Sequence, residues 1–209
     1  MEFLINKPPA PCTSIKARAF QQSLKARQGF TRLTIGGLML LLITAFPVQR
    51  LRGQTQTLVS LEFQVKAAFL LNFTKFVEWP QEAFPEANSP ITICLLGDDP
   101  FGRVLDQLLA GEVVNERALT VRRISDVPRA RTCQILFINR REQDVPQLLR
   151  TLGGGVLTVS ESDEFISDGG MINFVIDDRR VRFDINQTAA EAASLQLSSQ
   201  LLKVARSVR

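Results

Sequence analysis

Residues 169–205 read GGMINFVIDDRRVRFDINQTAAEAASLQLSSQLLKVA, and this stretch decides the fold. Residues 171–176 are apolar except for one Asn, the pattern of a strand buried on both faces. Asp177, Asp178, Arg179 and Arg180 form a polar turn, with a solvated connection as the simplest reading. Val181, Phe183 and Ile185 then alternate with Arg182 and Asp184, so the next strand has one buried and one wet face. Together these make a hairpin. Thr188 and Glu191 have the spacing of a capping box, and Ala190, Ala193, Leu197, Leu201 and Val204 recur at helical spacing behind them. The expected element is one closing helix. A hairpin and a helix of this size need further strands to pair with and a core to pack on.

Working outward, the residues before the hairpin supply those strands. Residues 91–96 are a short apolar strand, ending in Gly97, Asp98, Asp99 and Pro100. Asp99 and Pro100 suit the cap and first turn of a helix carrying Phe101, Val104, Leu105 and Leu108. A strand surrounds Leu119 and Val121, and another occupies 133–138. A short helix at 143–152 stops at Gly153, and a strand at 156–159 precedes the acidic segment 161–168. Upstream, residues 58–79 read as a helix closed by Trp79-Pro80. Leu61, Val65, Phe69 and Phe76 share its apolar face, Ala68, Phe73 and Val77 widen it, and Glu62, Lys66 and Lys75 fall on the polar side. The alternation of strands and helices predicts a single α/β domain over 58–209. Its mostly parallel β-sheet has about five to six strands and helices on both faces, and ends in a β-hairpin and a C-terminal helix.

Of the 209 residues, 25 are Lys or Arg and 21 are Asp or Glu, but the excess positive charge is local. Residues 1–53 hold 8 basic and 1 acidic residue, leaving 17 basic and 20 acidic in the remainder. The domain is therefore mildly acidic, which removes the main support for nucleic-acid binding. In the leader, Lys25, Arg27 and Arg32 precede an apolar run at 33–46. That run is short for a membrane span and suits the h-region of a signal peptide, with an uncleaved anchor helix as the alternative. Export to the periplasm is the expectation. Cys94 and Cys133 are the cysteines beyond the leader, and two readings stay open for them: one disulfide, or two buried thiols.

The chain contains no His and no Tyr. This removes the commonest general base, the His-based nucleophile arrangements and the usual zinc sets, so neither an enzyme, a cofactor nor a metal is expected. Asp98, Asp99 and Phe101 stand at the end of a strand and the start of a helix, where parallel sheets bind ligands. A crevice there defines a second hypothesis, a small-ligand receptor. A capped helix start is the plainer reading of the same residues.

With these residues laid out, the sequence resembles the YfiR family of periplasmic regulators. The resemblance runs from about residue 65 to 208 and is carried by four blocks. They are VKAAFLLNFTKFVEWP at 65–80, ICLLGDDPFG at 93–102, CQILFI at 133–138, and GGMINF at 169–174 continuing through RFDIN at 182–186 to SQLLK at 199–203. It implies a non-enzymatic α/β protein of the periplasm. Such a protein binds the periplasmic domain of an inner-membrane diguanylate cyclase, or a sensor kinase in a variant, and lowers cyclic-di-GMP synthesis. It also implies a tendency to form homodimers and a disulfide between Cys94 and Cys133. The family namesake's second cysteine pair has no counterpart here. Trp79, the only Trp, together with Phe76 before it, is the candidate partner contact, and a core role is the alternative for Trp79.

Overall fold

The structure, a computed structural model, describes residues 49–209, with side chains from residue 61. The leader segment through residue 48, including the apolar run at 33–46, lies outside the described residues. In chain order the elements are α1 (Gln49–Phe76), β1 (Val77–Glu78), β2 (Ile91–Leu96), α2 (Arg103–Leu109), β3 (Val113–Val114) and β4 (Arg117–Ile124). They continue with α3 (Val127–Ala130), β5 (Ile135–Ile138), α4 (Val145–Thr151), β6 (Leu157–Ser160), β7 (Ile172–Asp177) and β8 (Arg180–Ile185). The chain closes with α5 (Gln187–Ala192), β9 (Gln196–Leu197), α6 (Ser199–Val204) and β10 (Ser207–Val208).

The architecture is α/β with a mixed sheet in the order β10-β8-β7-β6-β5-β2-β4-β3, and β1 pairs separately with β9. The joins β2–β4, β2–β5, β5–β6, β6–β7 and β8–β10 are parallel, while β7–β8 and β3–β4 are antiparallel. The strands β1, β3, β9 and β10 are two residues each, too short to leave a periodic signal in the sequence. Every residue of β2, β5 and β6 is buried, because helices cover both faces of the sheet centre. Alternation then sorts the side chains. Ile93, Leu95, Ile135 and Phe137 join one core cluster with Phe73 of α1, Leu105 of α2 and Leu201 of α6. Cys94, Leu96, Leu136 and Ile138 join the other with Ala130 of α3, Leu148 of α4 and Phe165.

Several boundaries differ from the sequence expectation, each for a local reason. The polar connection inside the main hairpin shrinks to two residues, because Asp178 and Arg179 both take positive φ and Asp177 already pairs with Arg180. That is the backbone whose twist matches a two-residue hairpin. Asn115 and Glu116 do the same between β3 and β4. Asp99 is not the cap residue of α2. Its Oδ1 accepts from the amides of Phe101 and Gly102 at 2.7 and 3.0 Å, which holds the turn before the helix, and the helix starts at Arg103. α1 ends three residues before Trp79, and Val77 and Glu78 leave it to pair with Leu197 and Gln196.

The single C-terminal helix is the main correction. It is split into α5 and α6 by β9. The cap of α5 is Asn186, whose side chain accepts from the Ala189 amide at 3.0 Å, not Thr188. Glu191 receives a hydrogen bond from Gln187 Nε2 within the helix instead of reaching back to a cap. Ser194 takes φ 62°, which ends α5, and Ser198 caps α6 by accepting from the Leu201 amide at 3.2 Å. The run of small and hydroxyl residues supports either outcome locally, and pairing with β1 selects the break.

Cys94 and Cys133, 39 positions apart in sequence, are joined in a disulfide with Cα atoms 5.9 Å apart. Cys133 sits ahead of β5, in the turn after α3, so the bridge runs from a strand to a loop and not between two strands. Replacing both cysteines by Ala is expected to cost on the order of 2–4 kcal/mol, because the bridge no longer restricts the unfolded chain. A denaturant melt of the double variant beside the oxidised protein checks this. An unchanged midpoint would show that the bridge contributes nothing to stability.

Candidate functional site

Three places carry the residues with functional potential, and the strand ends come first. From β2 the chain crosses to β4 on one side, then returns to β5 on the other, so the carboxyl ends of β2 and β5 flank a topological switch point. The protein's own side chains occupy this crevice. The Asn139 amide donates to the Leu96 carbonyl at 3.1 Å, and Asn139 Nδ2 donates to the Asp98 carbonyl at 2.8 Å. Arg141 reaches Asp98 Oδ2 at 3.1 Å in a pair open to solvent. Gly97 has φ +83°, and a Cβ there would lie 2.2 Å from Glu142 Oε1, so this position needs glycine and its neighbour closes over it. Phe101 is buried edge-on against Phe63 and Phe137, with ring centroids 5.7 and 4.9 Å away. A cleft of ≈ 470 Å³ does open beside Leu96, but it lies between α3 and α4, with Leu148, Asp126 and Glu142 in its lining.

Asp99 is committed to the frame. Its Oδ2 accepts from Arg123 Nε at 2.9 Å, and Arg123 also forms a two-pronged pair with Asp106 at 2.8 and 2.6 Å. Arg123 Nη2 further donates to the Gly102 carbonyl at 3.0 Å. One guanidinium on β4 therefore ties the turn before α2 to the first turn of α2. Hydrogen bonds from Arg123 hold the Asp106 carboxyl below its ordinary 3.8, against the opposing cost of partial burial. The same pairs raise the affinity of Arg123 for its proton.

The second place surrounds Trp79. This residue is partly buried against the first core cluster, as is Phe76, and its indole Nε1–H donates to the Gln134 carbonyl at 3.0 Å. Gln134 is itself buried. Its Oε1 accepts from the Thr92 amide at 2.8 Å, and its Nε2 donates to the Ala83 carbonyl at 2.7 Å. One glutamine thus fixes the start of β2, the turn after Pro80 and the orientation of the indole. Trp79 lines a cleft of ≈ 420 Å³ together with Glu78, Pro80, Glu191, Leu195 and Gln196. The pairing of β1 with β9 brings these two chain segments together.

The third place is not visible in the sequence. Lys66, which helical spacing assigns to the polar side of α1, is 2% exposed. Its ammonium is held by Glu62 one turn earlier and by Glu161 beyond the end of β6, and lies 4.7 Å from the centre of the Phe63 ring. The sequence signal available was Glu62 at i−4, but Glu161 is 95 positions away. These three residues line a pocket of ≈ 550 Å³. Among the described residues no group of His, Cys, Asp and Glu side chains is arranged to hold a metal ion, and no helix is long and apolar enough to cross a membrane.

The sequence profile described as YfiR/HmsC-like matches residues 63–206, from the first turns of the described side chains of α1 to the residue before β10. A search of curated proteins finds no match.

The Asp106–Arg123 pair gives a pH test of this geometry. Because the folded-state pKa of Asp106 is depressed, its stabilising contribution is full above its unfolded value and is lost as pH falls through the folded value. Arg123→Ala is expected to return the Asp106 carboxyl toward 3.8 in an NMR titration. The stability gap between the variant and the native protein should narrow as pH falls below the ordinary carboxyl value of 3.8. An Asp106 titration unchanged by the substitution would contradict the pairing.

Proposed function

The chain belongs to the YfiR/HmsC-like family, and we propose from that membership that it is an exported regulator that docks on the periplasmic part of an inner-membrane diguanylate cyclase and restrains cyclic-di-GMP synthesis. Members of this family are regulators and not enzymes. The observation that carries the docking reading is the Trp79 cleft. Its indole is held in one orientation by Gln134, beside exposed Glu78 and Gln196. A large aromatic group whose position is fixed before binding loses little freedom on complex formation, and Trp is frequent among residues that dominate interface energies. The surrounding carboxylates Glu78 and Glu191 set a partner with complementary basic or amide groups at the rim.

Self-association belongs to the same proposal. Among the described residues β10 stands at the edge of the sheet, and Val208 within it and Val204 before it are exposed. An edge of this kind supports pairing with a second copy.

Capture from detergent-solubilised inner membranes tests the docking site, with diguanylate cyclase activity of the captured fraction as the readout. Trp79→Ala is expected to weaken binding by about 2 kcal/mol. Since Trp79 also packs on the core, this variant also loses stability, by less than the roughly 3–5 kcal/mol of a fully buried Trp. Gln196→Lys provides the control for folding: at an exposed position its stability should stay within about 0.5 kcal/mol of native while capture falls. Undiminished cyclase capture by both variants would remove the cleft from the interface, and no cyclase captured by the native chain would remove the partner.

A further inference from the structure

The pocket beside Lys66 shares no lining residue with the Trp79 cleft, and its chemistry differs. It lies beyond the carboxyl ends of β5 and β6, where the longer β7–β8 hairpin continues past its neighbour. Ligands in open α/β sheets collect at that end of the strands.

Its inner wall is charged in a way that packing does not require. Lys66, Glu62 and Glu161 have side chains 3%, 31% and 11% exposed, so one ammonium and one carboxylate are largely withdrawn from water beside a second, partly exposed carboxylate, with a net negative charge. Apolar side chains of similar volume would serve stability at least as well. A second, independent feature stands in the same wall. Asn173 on β7 is 4% exposed and its Oδ1 accepts no hydrogen bond among the described residues. A buried acceptor without a donor is costly, and Asn173 is one of the residues that line this pocket.

The remaining lining charges sit at the rim. Asp184 and Arg206 satisfy each other, with Nε to Oδ1 at 2.8 Å. Arg140 and Arg209 are exposed and pair with no carboxylate among the described residues, and Asp163 is likewise exposed. The unmatched groups are thus two cations at the mouth, set against an acceptor-rich, negative interior and one further carboxylate. An inorganic anion would meet the interior carboxylates, and a simple cation would meet the mouth. A molecule with both charges satisfies both zones.

We propose that this pocket binds a small zwitterion, an amino acid or short peptide. Its free amino group points inward to Glu161 and Asn173 Oδ1, and its free carboxylate lies between Arg140 and Arg209. The volume of ≈ 550 Å³ falls within the range of small-molecule sites, about 300–1,000 Å³, and accommodates a peptide of two or three small residues. Lys66 orients the carboxylate of Glu161 and does not itself contact the ligand.

Isothermal titration calorimetry on the exported chain tests this with three probes: trialanine, N-acetyl-trialanine and trialanine amide. Trialanine is expected to bind with Kd below about 1 mM, and each capped form at least about 10-fold more weakly. Arg140→Glu with Arg209→Glu, both at exposed positions, should weaken trialanine at least about 10-fold while the circular dichroism spectrum stays native. Glu161→Gln should abolish the preference for the free amino group over its acetylated form. Three results would each overturn the proposal. They are no heat from trialanine or free amino acids at about 10 mM, equal affinity for free and capped probes, or unchanged affinity in the folded rim variant.

Discussion

Everything in this domain depends on one packing constraint: the aromatic face of α1 must lie on the β7–β8 hairpin. Phe69 and Phe73 on the helix meet Phe174 and Phe183 on the strands, with ring centroids 5.2–6.1 Å apart in stacked, tilted and edge-on pairs. Phe73, Phe174 and Phe183 are almost completely buried. Without the helix, the hairpin would present these rings to water, and without the hairpin the helix would have no partner for its widest apolar stripe. Pairs of this kind contribute about 0.5–1.5 kcal/mol each beyond the area they bury. The contact joins the start of the domain to its end, so the parallel strands between them are enclosed by elements distant in sequence.

The same helix places both candidate sites. Lys66 lies on the helix one turn before Phe69 and Leu70, and Trp79 lies just past its last turn. Seating the aromatic stripe on the hairpin fixes the rotation of α1, and that rotation turns Lys66 inward to Glu161. It also delivers Val77 and Glu78 to β9, which closes the cleft around Trp79. The Cys94–Cys133 bridge and the Gln134 hydrogen bonds secure the neighbouring strand starts. The surfaces available for binding are therefore consequences of how one helix is held, and need no catalytic group.

Much of this was legible in the sequence, and the exceptions share a cause. The strands β2, β5, β6 and β7 announce themselves as apolar runs, and the alternation of Val181, Phe183 and Ile185 gives the hairpin its register. Asp98, Asp99 and Phe101 lie between the end of β2 and the start of α2, but sequence cannot show that Asn139 and Glu142 fill the space beside them. Lys66 reads as a surface residue because periodicity reports one helix and not its partners; its burial is decided by Glu161, far along the chain. The closing helix reads as continuous because Ala, Ser and Gln tolerate both states. The break at Ser194 is set by strand pairing between β1 and β9, a tertiary interaction. In each case local pattern identified the element, and a long-range contact decided its limits or its surroundings.

The most direct measurement of the central claim is the cellular cyclic-di-GMP concentration in cells that lack this chain, compared with cells in which the exported chain is restored. Restraint of a membrane cyclase predicts a rise on loss and a return to the original level on restoration. It also predicts that the rise disappears when the partner cyclase is removed as well. A cyclic-di-GMP level unchanged by loss of the chain, under conditions in which the chain is produced and exported, would contradict the account.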